Sequence, residues 1–266
     1  MAEFTHPHVE VTRSGLTTTV TIRRPEAHNA LDEQVIAQLK NAFKSLHEDR
    51  KTRIVIMAGA GPSFSAGADL NWMRRAASYS EDENRRDAGE LAAMLRAVAE
   101  CPRPVIARVQ GAALGAGAGL VAAADIVVAA ESAQFGFTEV RLGLVPATVS
   151  PYVIDKIGPG RARQLFLTGE RFHARHALEI GLVYRVVPDA QLDAAVQEVS
   201  AMLLAGGPSA QGACKQLIRH VAMAGSEVDD YTSDVIARIR ASEEGREGVM
   251  AFLEKRKPNW LADGKP

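Results

Sequence analysis

Apolar positions in the first half of the chain switch between two periods. Residues 17–22 (Thr-Thr-Thr-Val-Thr-Ile) are β-branched and alternate, the mark of a strand. From Leu31, apolar residues recur at helical spacing through Val35, Ile36, Leu39, Phe43 and Leu46, with Asn29 or Asp32 placed to cap that helix. Residues 54–57 read as a short buried strand running into Ala58-Gly59-Ala60-Gly61-Pro62. Residues 69–77 have a helical pattern. Residues 79–87 are polar and charged and predict a mobile surface segment, after which a long helix through Leu91, Met94, Leu95 and Val98 stops at Cys101-Pro102. Residues 105–109 form a second buried strand, residues 116–124 a helix of small residues, and residues 126–128 a third strand. Strands alternating with helices predict a layered α/β fold. No exact repeat is present, although strand, Gly/Ala turn and helix recur at 54–77 and 105–124.

Beyond Pro188 the strand pattern disappears. Residues 190–204, 208–224, 228–240 and 245–255 all read as helices, punctuated by Gly206-Gly207-Pro208 and Ala224-Gly225. A soft boundary near residue 200 therefore divides a core of residues 1–200 from a helical region of residues 201–266, suited to packing on its own core or on a neighbouring subunit.

Composition narrows the function classes. With 266 residues, 47% of them hydrophobic, the chain can bury a large core. Its 31 basic and 32 acidic residues lack the basic excess of a general nucleic-acid binder, so no nucleic-acid partner is expected. Two cysteines supply neither a disulfide framework nor a metal cluster, which fits a reducing compartment. The first residues show no charged-then-apolar signal pattern. The most apolar stretch, residues 112–130, is rich in Gly and Ala and broken by Asp125, whereas a membrane span needs about 20 apolar residues. These features predict a cytoplasmic protein without a membrane partner. His6, His8, His173 and His176 show no metal-site logic and read as surface residues.

The chemistry concentrates in two short stretches, Phe64-Ser-Ala-Gly-Ala-Asp-Leu70 and Gly111-Ala-Ala-Leu-Gly-Ala-Gly-Ala-Gly-Leu120. Each follows a strand-like run and opens a helix with tiny side chains, leaving the first helical N–H groups without internal partners. Two such junctions aimed at one point form an oxyanion hole, and Glu139 downstream adds a carboxyl for proton transfer. The plain alternative is that the small residues only permit tight helix–sheet packing, and that Glu139 is a surface residue paired with Arg141. Gly115-Ala-Gly117-Ala-Gly119 also invites a dinucleotide-loop reading. Its spacing is G-x-G-x-G rather than G-x-G-x-x-G, and no ribose-binding acid ends a second strand, so that reading is rejected.

Together these motifs resemble the crotonase superfamily of enoyl-CoA hydratases and isomerases. Residues 64–70 are similar to its first oxyanion-hole motif and residues 110–120 to its second. Arg24-Pro-Glu-Ala-His-Asn-Ala-Leu31 resembles its first CoA-contacting loop, and Ala133-Gln-Phe-Gly-Phe-Thr-Glu139 the segment delivering its catalytic glutamate. Leu167-Thr-Gly169 and Ala177-Leu-Glu-Ile-Gly-Leu-Val183 fit the helices that follow, and Phe252-Leu-Glu-Lys-Arg-Lys-Pro258 the C-terminus.

The resemblance implies a spiral of β-β-α units with a C-terminal all-helical trimerisation region, assembled as a homotrimer or a hexamer of two trimers. It implies an acyl-CoA thioester substrate and no permanently bound cofactor, coenzyme A entering only as part of the substrate. By position, it places the oxyanion-hole N–H groups on Ala68 and Ala116, and the acid/base on Glu139. Position 116 is usually glycine in the family, and alanine serves there if its backbone is helix-like. Many hydratases carry a second glutamate where this chain has Gly119, and Asp125 matches a structural position instead. CoA would meet backbone near Ala27, His28, Ala30, Ala66, Asp69 and Leu70, with Phe252 and Lys255 near the adenine and its 3′-phosphate. The same run of Lys255-Arg256-Lys257 also reads as a basic helix end favoured by the macrodipole. Trp72 and Met73 would line the acyl pocket, or simply pack in the core. Arg74, Arg75 and Arg141 are candidates for a distal substrate carboxylate. Residues 138–152 lack the usual Gly-Gly-Thr run and, with Asp69-Leu-Asn-Trp-Met73, are most similar to the methylglutaconyl-CoA hydratase branch. Hydration of a branched 2-enoyl-CoA is thus the expected reaction. The alternatives are Δ3–Δ2-enoyl-CoA isomerisation, which needs one carboxylate, and a catalytically weak CoA-ester- or RNA-binding oligomer.

Overall fold

A computed structural model describes residues 4–5, 7–224 and 228–262. The chain opens with β1 (Phe4–Thr5), β2 (Val9–Ser14) and β3 (Thr17–Ile22), paired antiparallel. A two-residue turn joins β2 to β3, with Gly15 supplying a φ of 57°. Strand β2 was not expected from the sequence. Only Val9 and Val11 carry its alternation, and its exposed half reads as loop.

Helix α1 (Glu33–Glu48) buries the apolar stripe that its periodicity predicts, and Asp32 caps it by accepting the Val35 N–H at 2.9 Å. Then come β4 (Ile54–Gly59), α2 (Leu70–Ala76), α3 (Glu81–Ala99), β5 (Val105–Val109), β6 (Ala112–Leu114) and α4 (Ala116–Ala123). The segment expected to be mobile, residues 79–87, is largely the first two turns of α3. Ser80 and Glu83 form a reciprocal capping box, which starts a helix whose outer face is fully polar.

The order continues with β7 (Ile126–Ala130), β8 (Gln134–Gly136), α5 (Ser150–Thr168), β9 (Arg171–His173), α6 (Ala174–Glu179) and β10 (Arg185–Val187). Gly158, at φ 76°, and Pro159 divide α5 into two segments. The remainder is helical: α7 (Leu192–Ala205), α8 (Pro208–Ala224), α9 (Asp229–Ala241), α10 (Glu243–Leu253) and α11 (Asn259–Ala262). No described helix is long and apolar enough to cross a membrane.

The main sheet runs β1-β2-β3-β4-β5-β7-β10 and is parallel from β3 onward. Alternate residues of its strands face opposite layers. Val55, Met57, Val105, Ala107 and Val127 join the core under α1, α3 and α4. Ile54, Ile106, Val128 and Ala130 meet Leu192, Ala195, Val196 and Val199 of α7. Residue 200 lies inside α7, so the division expected there falls within a helix docked on the sheet. A second sheet, β6-β8-β9, is extended by single bridges pairing Ser65 with Ala113 and Leu31 with Ala68. The first bridge joins the two glycine-rich junctions, and the second ties the loop before α1 to the first of them.

Candidate active site

The first junction leaves β4 and reaches α2. In the bridge between Leu31 and Ala68, the Leu31 N–H donates to the Gly67 carbonyl at 2.7 Å and the Asp69 N–H to the Leu31 carbonyl at 2.9 Å. The residue between them, Ala68, therefore turns its own N–H away from the bridge. The second junction leaves β6 through Gly115, at φ 50°, and enters α4 at Ala116. Ala116 is not among the left-handed residues, so alanine fits the helix-like backbone that position requires. Among the described residues no acceptor takes the N–H of Ala68 or of Ala116.

The junctions touch. A Cβ placed on Gly67 (φ 95°) would stand 2.7 Å from the Leu114 carbonyl oxygen and 3.8 Å from the Ala116 nitrogen. A Cβ on Gly117 would fall 2.4 Å from the Ser65 carbonyl oxygen. The small residues thus serve close packing as well as exposing N–H groups. Only side-chain-free backbone lets the two junctions pack this closely.

Glu139 follows β8 at the start of a short 3-10 helix, Glu139–Leu142. Buried Phe137, edge-on to Phe166 at 5.3 Å, anchors the segment, and Gly115 N–H ties it to α4 through the Gly136 carbonyl at 2.8 Å. Glu139 Oε1 lies 3.4 Å from where a Gly115 Cβ would stand, so its carboxyl sits at the open N-terminus of α4. Its Oε2 is buried and has no hydrogen-bond partner. Burial pushes the Glu139 pKa up from the ordinary carboxylate value, offset in part by a bond to its own backbone N–H. No ion pair to Arg141 forms among the described residues, and the Arg141 side chain is exposed.

At Gly119 the structure leaves no room for a side chain, carboxylate or other. A Cβ there would lie 2.2 Å from Val149 Cγ1 and 2.8 Å from Val149 Cβ, with Leu95 Cδ2 at 3.8 Å. Val149, 2% exposed, fills that space from the loop before α5. Sequence reasoning missed Val149. Its one signal was the loss of the Gly-Gly-Thr run, where small residues would leave that volume open.

The loop at residues 24–30 is stitched beneath the first junction. Asn29, buried in a left-handed conformation (φ 55°), donates to the Ala60 and Ser63 carbonyls at 2.8 and 2.7 Å and accepts from Arg24 N–H at 2.8 Å. It is a loop lock, while Asp32 holds the helix cap. Exposed His28 has φ 49°, and its carbonyl accepts the Ala66 N–H at 2.9 Å. The carbonyls of Ala27 and Ala30 accept from Ala30 N–H and Arg24 Nη1 at 3.0 and 2.9 Å. Half-buried Ala27, His28 and half-buried Ala66 thus share one edge of the site, with Leu70, 75% exposed, beside it.

Asp69 serves the fold directly. Its Oδ1 caps α2 by accepting from Asn71 and Trp72 N–H at 2.8 and 3.1 Å, and its Oδ2 pairs with Arg24 at 3.1 Å. Burial alone would raise its pKa; the two N–H groups and the guanidinium bring it below the ordinary value. Trp72 belongs to the main core and donates from Nε1 to Asp87 at 3.2 Å, while Met73 is half-buried. Of the candidate arginines, Arg75 is held by both oxygens of Glu33 and Arg74 by Asn71. Phe252 and Lys255 lie at the end of α10, whose main partners are α8 and α9; Phe252 is 82% exposed. No group of three metal-ligating side chains stands together among the described residues, and His6 lies outside them.

Known proteins share this sequence pattern and fold. A family model described as enoyl-CoA hydratase/isomerase matches residues 13–263. The crystal structure of an enoyl-CoA hydratase from Shewanella pealeana superposes with a TM-score of 0.92 at 40% identity, covering 95% of this chain and 96% of that one. The crotonyl-CoA hydratase of Syntrophomonas wolfei is 33% identical over 91% of this chain and 93% of its own length. The 1,2-epoxyphenylacetyl-CoA isomerase of Escherichia coli K12 is 33% identical over 98% and 99%. The fold and these matches together make the chain a member of the enoyl-CoA hydratase/isomerase family, the crotonase superfamily.

Proposed function

We propose that this enzyme adds water across the double bond of a branched 2-enoyl-CoA, with Glu139 as its single acid/base. The observation that carries this reading is the buried, unpartnered Glu139 Oε2 beside the uncapped start of α4. A carboxyl largely kept from solvent holds its proton more tightly, which suits it to both take and return one near neutral pH. Glu139 would draw a proton from water as its oxygen bonds to C3. The electrons move onto the thioester oxygen, held by the N–H groups of Ala68 and Ala116. As the enolate collapses, Glu139 returns the proton to C2, so both additions occur on one face.

The apolar filling at Gly119 and the departure of residues 138–152 from the Gly-Gly-Thr pattern support a branched, methylglutaconyl-like acyl group. Arg141, exposed one turn beyond Glu139, is the arginine best placed for a distal carboxylate. Backbone at Ala27, His28, Ala30, Ala66 and Leu70 would receive the CoA chain. The exposure of Ile218, Met223 and Phe252 on the C-terminal helices supports burial between subunits in a trimer or hexamer, which would bring Phe252 and Lys255 to a neighbour's CoA.

The same Gly119–Val149 packing favours a second reading. One carboxylate suffices to carry a proton between C4 and C2, so a Δ3–Δ2 isomerase would need nothing this site lacks. The deciding experiment incubates the enzyme with 3-methylglutaconyl-CoA and with crotonyl-CoA, following the conjugated enoyl absorbance and product mass. A gain of one water on the branched ester is the expected result. No gain on either, with conversion of a 3-enoyl-CoA, would replace hydration by isomerisation.

A further inference from the structure

At the opposite end of the parallel strands lies an open cavity of about 650 Å³. It is bounded by the β2–β3 turn, the segments entering β4 and β5, and the start of α8. Strands β4 and β5 separate it from the junctions at their other ends, a rise of about 15–20 Å. Five cationic side chains line it, Arg13, Arg50, Lys51, Arg53 and Arg103, and no acidic one does among the described residues.

Of the carboxylates nearby, one neutralises a lining cation and the others have bonds of their own. Asp49 pairs with Arg13 and accepts from Thr52 Oγ1 and Lys51 N–H at 2.8 Å each. Glu244 caps α8 through Ser209 and Ala210 N–H at 2.9 and 2.8 Å, so that helix end is already occupied. Asp125 pairs with Lys215 at 2.6 Å. Arg53 is only 9% exposed, and among the described residues its guanidinium bonds to the backbone carbonyls of Gly206 and Trp260 and to no carboxylate. The Nε atoms of Arg13, Arg53 and Arg103 are buried without partners. Among the described residues, five cations face only the carboxylates of Asp49, paired with Arg13, and Glu244, which acts on Arg53 through space, so the cavity keeps a positive excess that an anion in the adjoining space offsets.

We propose that this cavity binds a compact, multiply charged phosphate. Guanidinium forks match phosphate oxygens in pairs. Among the described residues no aromatic side chain lines the cavity to stack on a base, so the charge itself is what the site recognises. The occupant is independent of the acyl-CoA site and adds to it, one per chain.

Calorimetric titration of the full chain with inorganic pyrophosphate tests this, at physiological ionic strength and with the acyl site saturated by unreactive butyryl-CoA. Saturable one-to-one binding is expected. It should weaken at least tenfold in Arg50→Ala/Lys51→Ala, whose side chains are exposed, with enoyl-CoA turnover unchanged. Arg103→Gln, altering the opposite wall, should weaken it comparably. Absence of binding, displacement by butyryl-CoA, or affinity unchanged in both variants would each overturn the proposal.

Discussion

The two strand-to-helix junctions begin with the same kind of sequence and end with opposite electrostatics. At α2, Asp69 fills the helix N-terminus with its own carboxylate and is further held by Arg24. At α4, Gly115 offers no side chain, and the nearest carboxyl is Glu139, one of whose oxygens has no partner. Donors lower the first acid's pKa, whereas burial raises the second's. A satisfied helix end anchors structure, and an unsatisfied one keeps its capacity for a substrate.

Glu139→Gln breaks this contrast most severely. It keeps the shape and removes the proton acceptor, so turnover should fall at least ~10³-fold while CoA-ester binding stays within a few-fold, read by stopped-flow kinetics and calorimetry. The fold should respond the other way. Because the folded pKa is raised, the stability linked to Glu139 is fully present below the unfolded value and lost as pH rises through the folded one. The variant should therefore melt higher than the parent at neutral pH, with the gap closing in acid. Normal turnover in the variant would remove Glu139 from the chemistry.

Next in size is Ala116→Pro. Proline is tolerated at the first position of a helix and deletes only the N–H there. Losing one oxyanion donor removes about 3–4 kcal/mol of transition-state stabilisation, a drop of several hundred-fold in kcat with little change in melting temperature. An equal fall in stability would mean that this N–H serves the fold, as those at α2 do.

Legibility in the sequence followed the strength of each local signal. Helix α1 and strands β4 and β5 were plain because their apolar positions recur over whole faces. The three-residue strands β6, β8 and β9 were not, since each is defined by partners far along the chain. The start of α3 was misread because a polar outer face resembles a loop unless the Ser80–Glu83 capping pair is weighed. Ala68, Ala116 and Glu139 could be named from motif order, but not the contact between the two junctions, which depends on the Ser65–Ala113 bridge. Val149 was out of reach for a related reason. Its contact with Gly119 crosses 30 residues, and the missing Gly-Gly-Thr run, its one local signal, does not say what the new side chain touches.

The smallest effects belong to Asp69, and their sign separates anchoring from chemistry. Asp69→Ala removes the cap of α2 and one partner of Arg24, whose other partner, Asp32, remains at 3.0 Å. Because Arg24 is not stranded, the loss should be about 2 kcal/mol in urea unfolding rather than that of a broken buried pair. Asp69→Asn keeps a capping oxygen and should recover about half of it. The pH dependence should oppose that of Glu139. With its folded pKa lowered, Asp69 contributes stability present above the unfolded value and lost as pH falls through the folded one, so parent and Asp69→Asn converge in acid. Turnover in both variants should stay within tenfold of the parent, since the carboxylate is spent on Asn71, Trp72 and Arg24. If Asp69→Asn instead lost turnover on the scale of Glu139→Gln while keeping its fold, the α2 end would be reactive too, and the division of labour between the junctions would fail.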